Sequence, residues 1–143
     1  MWERDLFVDL ARLRTEFNAD HLVCLLEDHE LVDLHIESLP AAAKDLGLAF
    51  HRLPISDGDV PRNTAESAAL VASVAGWAAA GENVVIHCKG GLGRAGTIGG
   101  CVLRTAGLDG AAALTALHGA RGPSCPETEA QRRYIEEFVP PML

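Results

Sequence analysis

The sequence predicts an α/β fold, a small and mostly parallel central sheet flanked by helices. Three observations carry that prediction. Short apolar or β-branched runs, Leu22-Val23-Cys24-Leu25-Leu26, Leu48-Ala49-Phe50-His51-Arg52-Leu53 and Val84-Val85-Ile86, alternate with stretches of helical periodicity. Such alternation implies right-handed crossovers between parallel strands. The chain has 143 residues, 48% of them hydrophobic, which is enough for one core and too apolar for disorder. No internal repeat or linker divides it, so residues 1–143 are expected to form a single domain.

Residues 3–17 are predicted to be helical, because Leu6, Leu10, Leu13 and Phe17 recur at helical spacing with charges between them. The run His21 to Leu26 suits a buried strand, and Glu27, Asp28 and Glu30 follow its end. A helix is expected over part of 30–46, interrupted near Pro40 and stopped by Gly47. Residues 48–53 read as a second strand. The segment Pro54-Ile55-Ser56-Asp57-Gly58-Asp59-Val60-Pro61 reads as a loop, since its Pro and Gly content opposes regular structure. Asn63, with Glu66 as capping-box partner, starts a helix that ends at Gly81. Its inward face is expected to be Ala69, Leu70, Val74 and Trp77. Strand 83–87 then leads through a glycine-rich turn into a small-residue helix. Asp109 caps a helix to about Gly119, 121–126 is a loop, and a last helix spans 127–138 ahead of Pro140-Pro141. Ligands of parallel sheets bind beyond the carboxyl ends of the strands. The loops after Leu26, Leu53 and His87 are therefore predicted to converge on one site.

The third of these loops is His87-Cys88-Lys89-Gly90-Gly91-Leu92-Gly93-Arg94-Ala95-Gly96-Thr97. A strand, a glycine-rich turn and a helix N-terminus expose backbone N–H groups that bind anions. Surroundings of N–H donors and a cation favour the thiolate form of a cysteine, which makes Cys88 a candidate nucleophile. Arg94 offers a planar fork that matches two phosphate oxygens. Two rival glycine motifs overlap the stretch. Gly91-Leu92-Gly93-Arg94-Ala95-Gly96 matches the dinucleotide pattern G-x-G-x-x-G, but no strand follows with the required acidic residue. A Walker A loop needs Lys after its last glycine, and here Thr97 follows Gly96. A buried structural cysteine in a tight turn would leave Arg94 and the surrounding glycines unexplained.

The net charge of −8 argues against a nucleic-acid partner or an acidic membrane surface. No apolar run approaches the roughly 20 residues of a membrane span. Met1-Trp2-Glu3-Arg4-Asp5 does not open a signal peptide, since no apolar core follows. Cys24, Cys88, Cys101 and Cys125 lack metal-type spacing, so no metal or other cofactor is expected, and reduced thiols in a cytoplasm are. Cys24, Cys101 and Cys125 read as core or loop thiols. A disulfide to Cys88 would require Cα atoms within about 7 Å.

The spacing His87-Cys88, five residues, Arg94 resembles the signature of cysteine-dependent phosphatases of the protein-tyrosine and dual-specificity kind. His51-Arg52-Leu53-Pro54-Ile55-Ser56-Asp57-Gly58 is similar to the general-acid loop of the cyclin-dependent-kinase-associated phosphatase subgroup, and Gly90-Gly91-Leu92-Gly93-Arg94 to that subgroup's phosphate loop. Thr128 to Phe138 resembles its final helix. The resemblance covers most of residues 5–138 and implies the cysteine-phosphatase fold and a catalytic domain of dual-specificity type. It implies hydrolysis of a phosphomonoester through a phosphocysteine, on phosphotyrosine or phosphoserine/threonine of proteins. Small or lipid phosphates and a catalytically weak phosphate-binding module are the alternatives; a sulfurtransferase or arsenate reductase fits the Cys–Arg spacing or loop position less well.

Under this reading Cys88 attacks phosphorus. Arg94 and the N–H groups from Lys89 through Gly90, Gly91, Leu92 and Gly93 hold the equatorial oxygens. Asp57 protonates the leaving oxygen, with Asp59 as its rival in the same loop and an ordinary turn aspartate as the plain reading of either. His87 is expected to be a buried orienter of the loop. Gln131 either positions the hydrolytic water, as the resemblance implies, or closes a capping box with Thr128. Lys89 adds charge at the rim or is simply solvated. One departure stands out: most relatives carry Ser or Thr directly after the signature Arg, and this chain has Ala95. The missing hydroxyl bears on release of the phosphoenzyme rather than on its formation.

Overall fold

A computed structural model describes residues 6–141. Its elements, in order, are α1 (Leu6–Glu16), β1 (His21–Cys24), α2 (Asp28–Asp33), α3 (Leu39–Asp45), β2 (Ala49–Arg52), α4 (Thr64–Ala79), β3 (Val84–His87), α5 (Arg94–Thr105), α6 (Gly110–Arg121) and α7 (Glu129–Glu137). The three strands form a parallel sheet in the order β2-β1-β3. The expected small parallel sheet flanked by helices is the fold observed.

β1 lies in the centre and is buried throughout. Its continuous apolar run follows from helices on both faces of the sheet. Val23 and Leu25 face one core with Val71, Val74, Ile98, Leu117 and Ile135. Leu22, Cys24 and Leu26 face the other with Leu10, Leu39 and Ala43. Burying each large aliphatic side chain contributes about 1.5–3 kcal/mol. The register pairs Cys24 with Arg52 on one side and with His87 on the other, so the carboxyl ends of the strands are level. The loops after all three strands therefore open at the same edge.

The caps follow the sequence closely. The Asn63 side chain accepts from Glu66 N–H at 3.0 Å, and Asp109 accepts from Ala112 N–H at 2.8 Å. Thr128 and Gln131 form a reciprocal capping box at the start of α7. Elsewhere the structure corrects the reading. The expected start of the first helix at residue 3 lies outside the described residues, and Phe17 falls beyond α1 and is exposed. The break between α2 and α3 does fall near Pro40, just ahead of it. Proline is tolerated in a first turn, where its missing N–H has no partner to lose, and Pro40 occupies that turn of α3. The inward face of α4 carries Ser67, Leu70, Val71, Val74 and Trp77, while Ala69 is exposed. α5 packs so closely on α7 that a Cβ at Gly100 would lie 2.5 Å from Ile135 Cδ1.

Candidate active site

Cys88 follows the last residue of β3, and its thiol lies within the loop that ends at α5. Backbone N–H groups of Gly91 and Ala95 point at Sγ, at 3.3 and 3.4 Å. Gly91 takes φ +75°, a conformation that costs L side chains and that turns the chain back over the sulfur. The loop is braced from behind. Cys125 Sγ donates to the Leu92 carbonyl at 3.2 Å, and a Cβ at Gly96 would meet that sulfur at 2.6 Å. His87 is half-buried. Burial pushes its imidazole below the ordinary histidine range, and its buried Nε2 has no hydrogen-bond partner among the described residues. Lys89 and Gly90 are exposed at the rim.

Arg94 opens α5 and is 1% exposed. A buried guanidinium needs a counter-charge, and Glu30 supplies it from α2. Nη1 and Nη2 donate to the two Glu30 carboxylate oxygens at 2.5 and 2.9 Å, and Nη1 also donates to the Ile55 carbonyl at 2.8 Å. Hydrogen bonds from Arg94 hold the Glu30 carboxyl below the usual carboxylate range. A guanidinium has five N–H donors. These three bonds leave Nε–H and one Nη2–H for another anion.

Asp57 comes to the same place from the loop after β2. Its Oδ1 lies 3.5 Å from Arg94 Nη2, and its side chain is otherwise exposed. Asp59 is committed elsewhere: its carboxylate accepts from Val60 N–H at 2.8 Å, as a turn aspartate does. Gln131 is fully buried. Its Oε1 accepts from Glu127 and Thr128 N–H, both at 3.1 Å, and its Nε2 donates to the Asp59 carbonyl at 3.1 Å.

The structure thus gathers Cys88, Arg94 and Asp57 at the carboxyl edge of the sheet. Glu30 has no counterpart among the sequence-derived candidates. Its local signal, Glu27-x-x-Glu30, is that of a helix start, and Glu27 N–H does donate to Glu30 Oε1 at 3.1 Å. Nothing local shows that the same carboxylate grips an arginine 64 positions away. Glu27, His29 and Glu30 could bring ligand atoms within 4.8 Å of one another. The Arg94 cation against Glu30 opposes a metal ion there. Cys24, Cys101 and Cys125 are free and buried. Burial raises all three thiols, that of Cys101 to about 12.

A cysteine in a cradle of N–H groups and an arginine opening the next helix, on a small parallel sheet, define the cysteine-dependent dual-specificity phosphatase class. The chain belongs to the Swiss Army Knife DSP-PTPase phosphatase domain family, whose model matches residues 3–134. Proteins of this class hydrolyse phosphoesters through a cysteine. Among solved structures, kinase associated phosphatase (KAP), with its catalytic site cysteine substituted by serine, superposes with TM-score 0.88 at 23% identity, covering 96% of this chain and 77% of that one. Tk-PTP in the active form gives 0.79 at 28% identity, over 93% and 87%. PTPMT1 in complex with PI(5)P gives 0.74 at 21% identity, over 90% and 81%. A comparison with curated protein sequences gave no match.

Proposed function

We propose that this chain, residues 1–143 as one catalytic domain, is a protein phosphatase acting on phosphotyrosine or phosphoserine/threonine. The observation that carries the chemistry is the convergence of Cys88, Arg94 and Asp57, with Asp57 Oδ1 3.5 Å from the Arg94 fork. The Cys88 thiolate attacks phosphorus, and an S–P bond forms as the ester P–O bond breaks. Arg94, through its two uncommitted N–H groups, and the backbone N–H groups of Lys89 to Gly93 hold the equatorial oxygens as their charge grows. Asp57 gives its proton to the leaving oxygen. In the second step Asp57 takes a proton from water, the water oxygen bonds phosphorus, and the S–P bond breaks to return the thiolate and phosphate. His87, the last residue of β3 and directly before Cys88, is the residue that orients the loop. The free state of all four cysteines supports a reducing compartment, the cytoplasm. No helix among the described residues is long and apolar enough to cross a membrane.

A phosphoinositide substrate is the second reading. A groove of about 1000 Å³ opens beside Cys88 and Lys89, with Leu10, Leu13, Leu34 and Ile36 on its walls, and would admit an apolar tail. Hydrolysis of p-nitrophenyl phosphate without metal, by wild type and Cys88→Ser, tests the chemistry. Activity that survives Cys88→Ser, or that demands a divalent ion, defeats it. A panel of phosphopeptides and phosphoinositides then decides the substrate.

A further inference from the structure

The start of α7 touches both loops of the site. Thr128 Oγ1 accepts from Gln131 N–H at 3.2 Å and donates to the Gly58 carbonyl at 3.4 Å. Gln131 Nε2 donates to the Asp59 carbonyl at 3.1 Å, while its Oε1 is occupied by the N–H groups of Glu127 and Thr128. The same amide lies against the catalytic loop, where a Cβ at Gly93 would sit 3.1 Å from Nε2. The Asp57 loop is therefore held at two points. Arg94 donates to Ile55 O two residues before Asp57, and α7 donates to Gly58 O and Asp59 O directly after it. Between the two anchors the loop closes on its own Asp59 N–H to Ser56 O bond at 2.9 Å. Apart from the 3.5 Å approach of Arg94 Nη2 to its Oδ1, no hydrogen bond or ion pair among the described residues holds the Asp57 side chain, which is 69% exposed, so its position depends on the backbone on either side.

We propose that Thr128 and Gln131 are positioning residues for Asp57. They clamp the carbonyls after it so that the carboxyl stays over the phosphate site, and the buried Gln131 amide is committed to that clamp rather than to the hydrolytic water. The proposal rests on the reading of Asp57 as general acid.

The test separates the two chemical steps. The ratio kcat/KM reports events up to formation of the phosphocysteine, in which the acid acts on the leaving group. Orientation of water affects only the later step. A series of aryl phosphates with leaving groups of rising pKa is measured for wild type, Gln131→Glu, Thr128→Val, Thr128→Ser and Asp57→Asn, with the pre-steady-state burst of phenol recorded alongside. Gln131→Glu keeps the size and the Oε1 acceptor but deletes the donor to Asp59 O. Thr128→Val deletes the donor to Gly58 O, and Thr128→Ser restores it. The clamp predicts that Gln131→Glu and Thr128→Val lower kcat/KM about tenfold for the poorest leaving groups, a fraction of what a general acid supplies. Both should stay within twofold of wild type for the best leaving groups, Thr128→Ser should recover wild-type behaviour, and no phosphocysteine should accumulate beyond the wild-type burst. A fall in kcat with kcat/KM unchanged and a larger burst makes Gln131 the water-orienting group and overturns the proposal. So does an equal loss across all leaving groups, which marks general damage. If Asp57→Asn itself shows no added dependence on the leaving group, the acid assignment has failed and the clamp falls with it. If Gln131→Glu does not fold, Thr128→Val against Thr128→Ser decides alone.

Discussion

Glu30→Gln should damage both the stability and the activity of this phosphatase. Arg94 is 1% exposed, and the Glu30 carboxylate accepts two of its N–H groups, at 2.5 and 2.9 Å. The amide keeps one oxygen but turns an NH₂ toward a guanidinium N–H, and it removes the only counter-charge in hydrogen-bond contact with Arg94 among the described residues. Breaking a buried pair by removing one partner costs about 3–5 kcal/mol. The lower figure applies here, because one hydrogen bond survives. At this chain length 1 kcal/mol corresponds to about 3–4 °C, so Tm should fall by roughly 10 °C in a fluorescence melt. The fork also loses its orientation, and a displacement of about 1 Å in a binding group costs about 10²-fold in kcat/KM. Glu30→Asp, which keeps the charge and loses reach, should fall between. The double variant Glu30→Leu/Arg94→Met should regain most of the lost Tm, since apolar replacement of a whole buried pair is close to neutral, while remaining inactive. A Glu30→Gln protein with Tm within 2 °C and kcat/KM within threefold of wild type, an estimate of noise set against the effects above, would refute the reasoning.

Three further outcomes are expected. Ala95→Ser should raise kcat and shrink the burst: the N–H groups of Gly91 and Ala95 already donate to Cys88 Sγ at 3.3 and 3.4 Å, and a hydroxyl there adds a third donor to the departing thiolate. An unchanged burst-to-turnover ratio would show that the missing hydroxyl does not matter. Burial lowers His87 and His51 below the ordinary histidine value. Lowered folded values mean that the unfolded chain takes up protons the folded chain refuses. Stability is then full above about pH 6.5 and declines as pH falls from there through the folded values. Glu30, lowered by Arg94, adds a loss at lower pH, present as stability above about pH 4.3 and removed as pH falls through its folded value. Urea midpoints that stay flat between pH 7.5 and 5.5 would contradict the histidine part. Gly100→Ala should cost about 1–3 kcal/mol, because its Cβ would lie 2.5 Å from the buried Ile135 Cδ1. Gly119→Ala, where nothing lies within 4 Å, should instead gain about 0.5–1 kcal/mol; equal denaturation midpoints for the two would rule out overpacking at Gly100.

Most of the fold was legible because its signals are local. The apolar runs at 22–26, 48–53 and 84–86, the caps Asn63, Asp109 and Thr128, and the stops at Gly47 and Gly81 each act within a few residues of themselves. The misreadings were local as well. Phe17 was taken into the first helix and falls beyond it, and Ala69 was placed inward because small apolar residues fit either face of a helix.

The sequence by itself determined the strand–turn–helix that presents Cys88 and Arg94, since one contiguous segment supplies thiol, N–H groups and cation. It also pointed to Asp57 as the candidate acid, with Asp59 as its rival in the same loop at the right end of the sheet. Only the tertiary structure decided which of the two reaches Arg94, because the choice turns on a Val60 N–H that engages Asp59 and on carbonyls held from α7. Only it revealed Glu30 as the counter-charge of Arg94, and Gln131 as a buried link between α7 and the acid loop. Apart from the local Val60–Asp59 bond, these contacts join side chains and loops about 40 to 70 positions apart, and they exist only once the parallel register has brought the ends of three strands level.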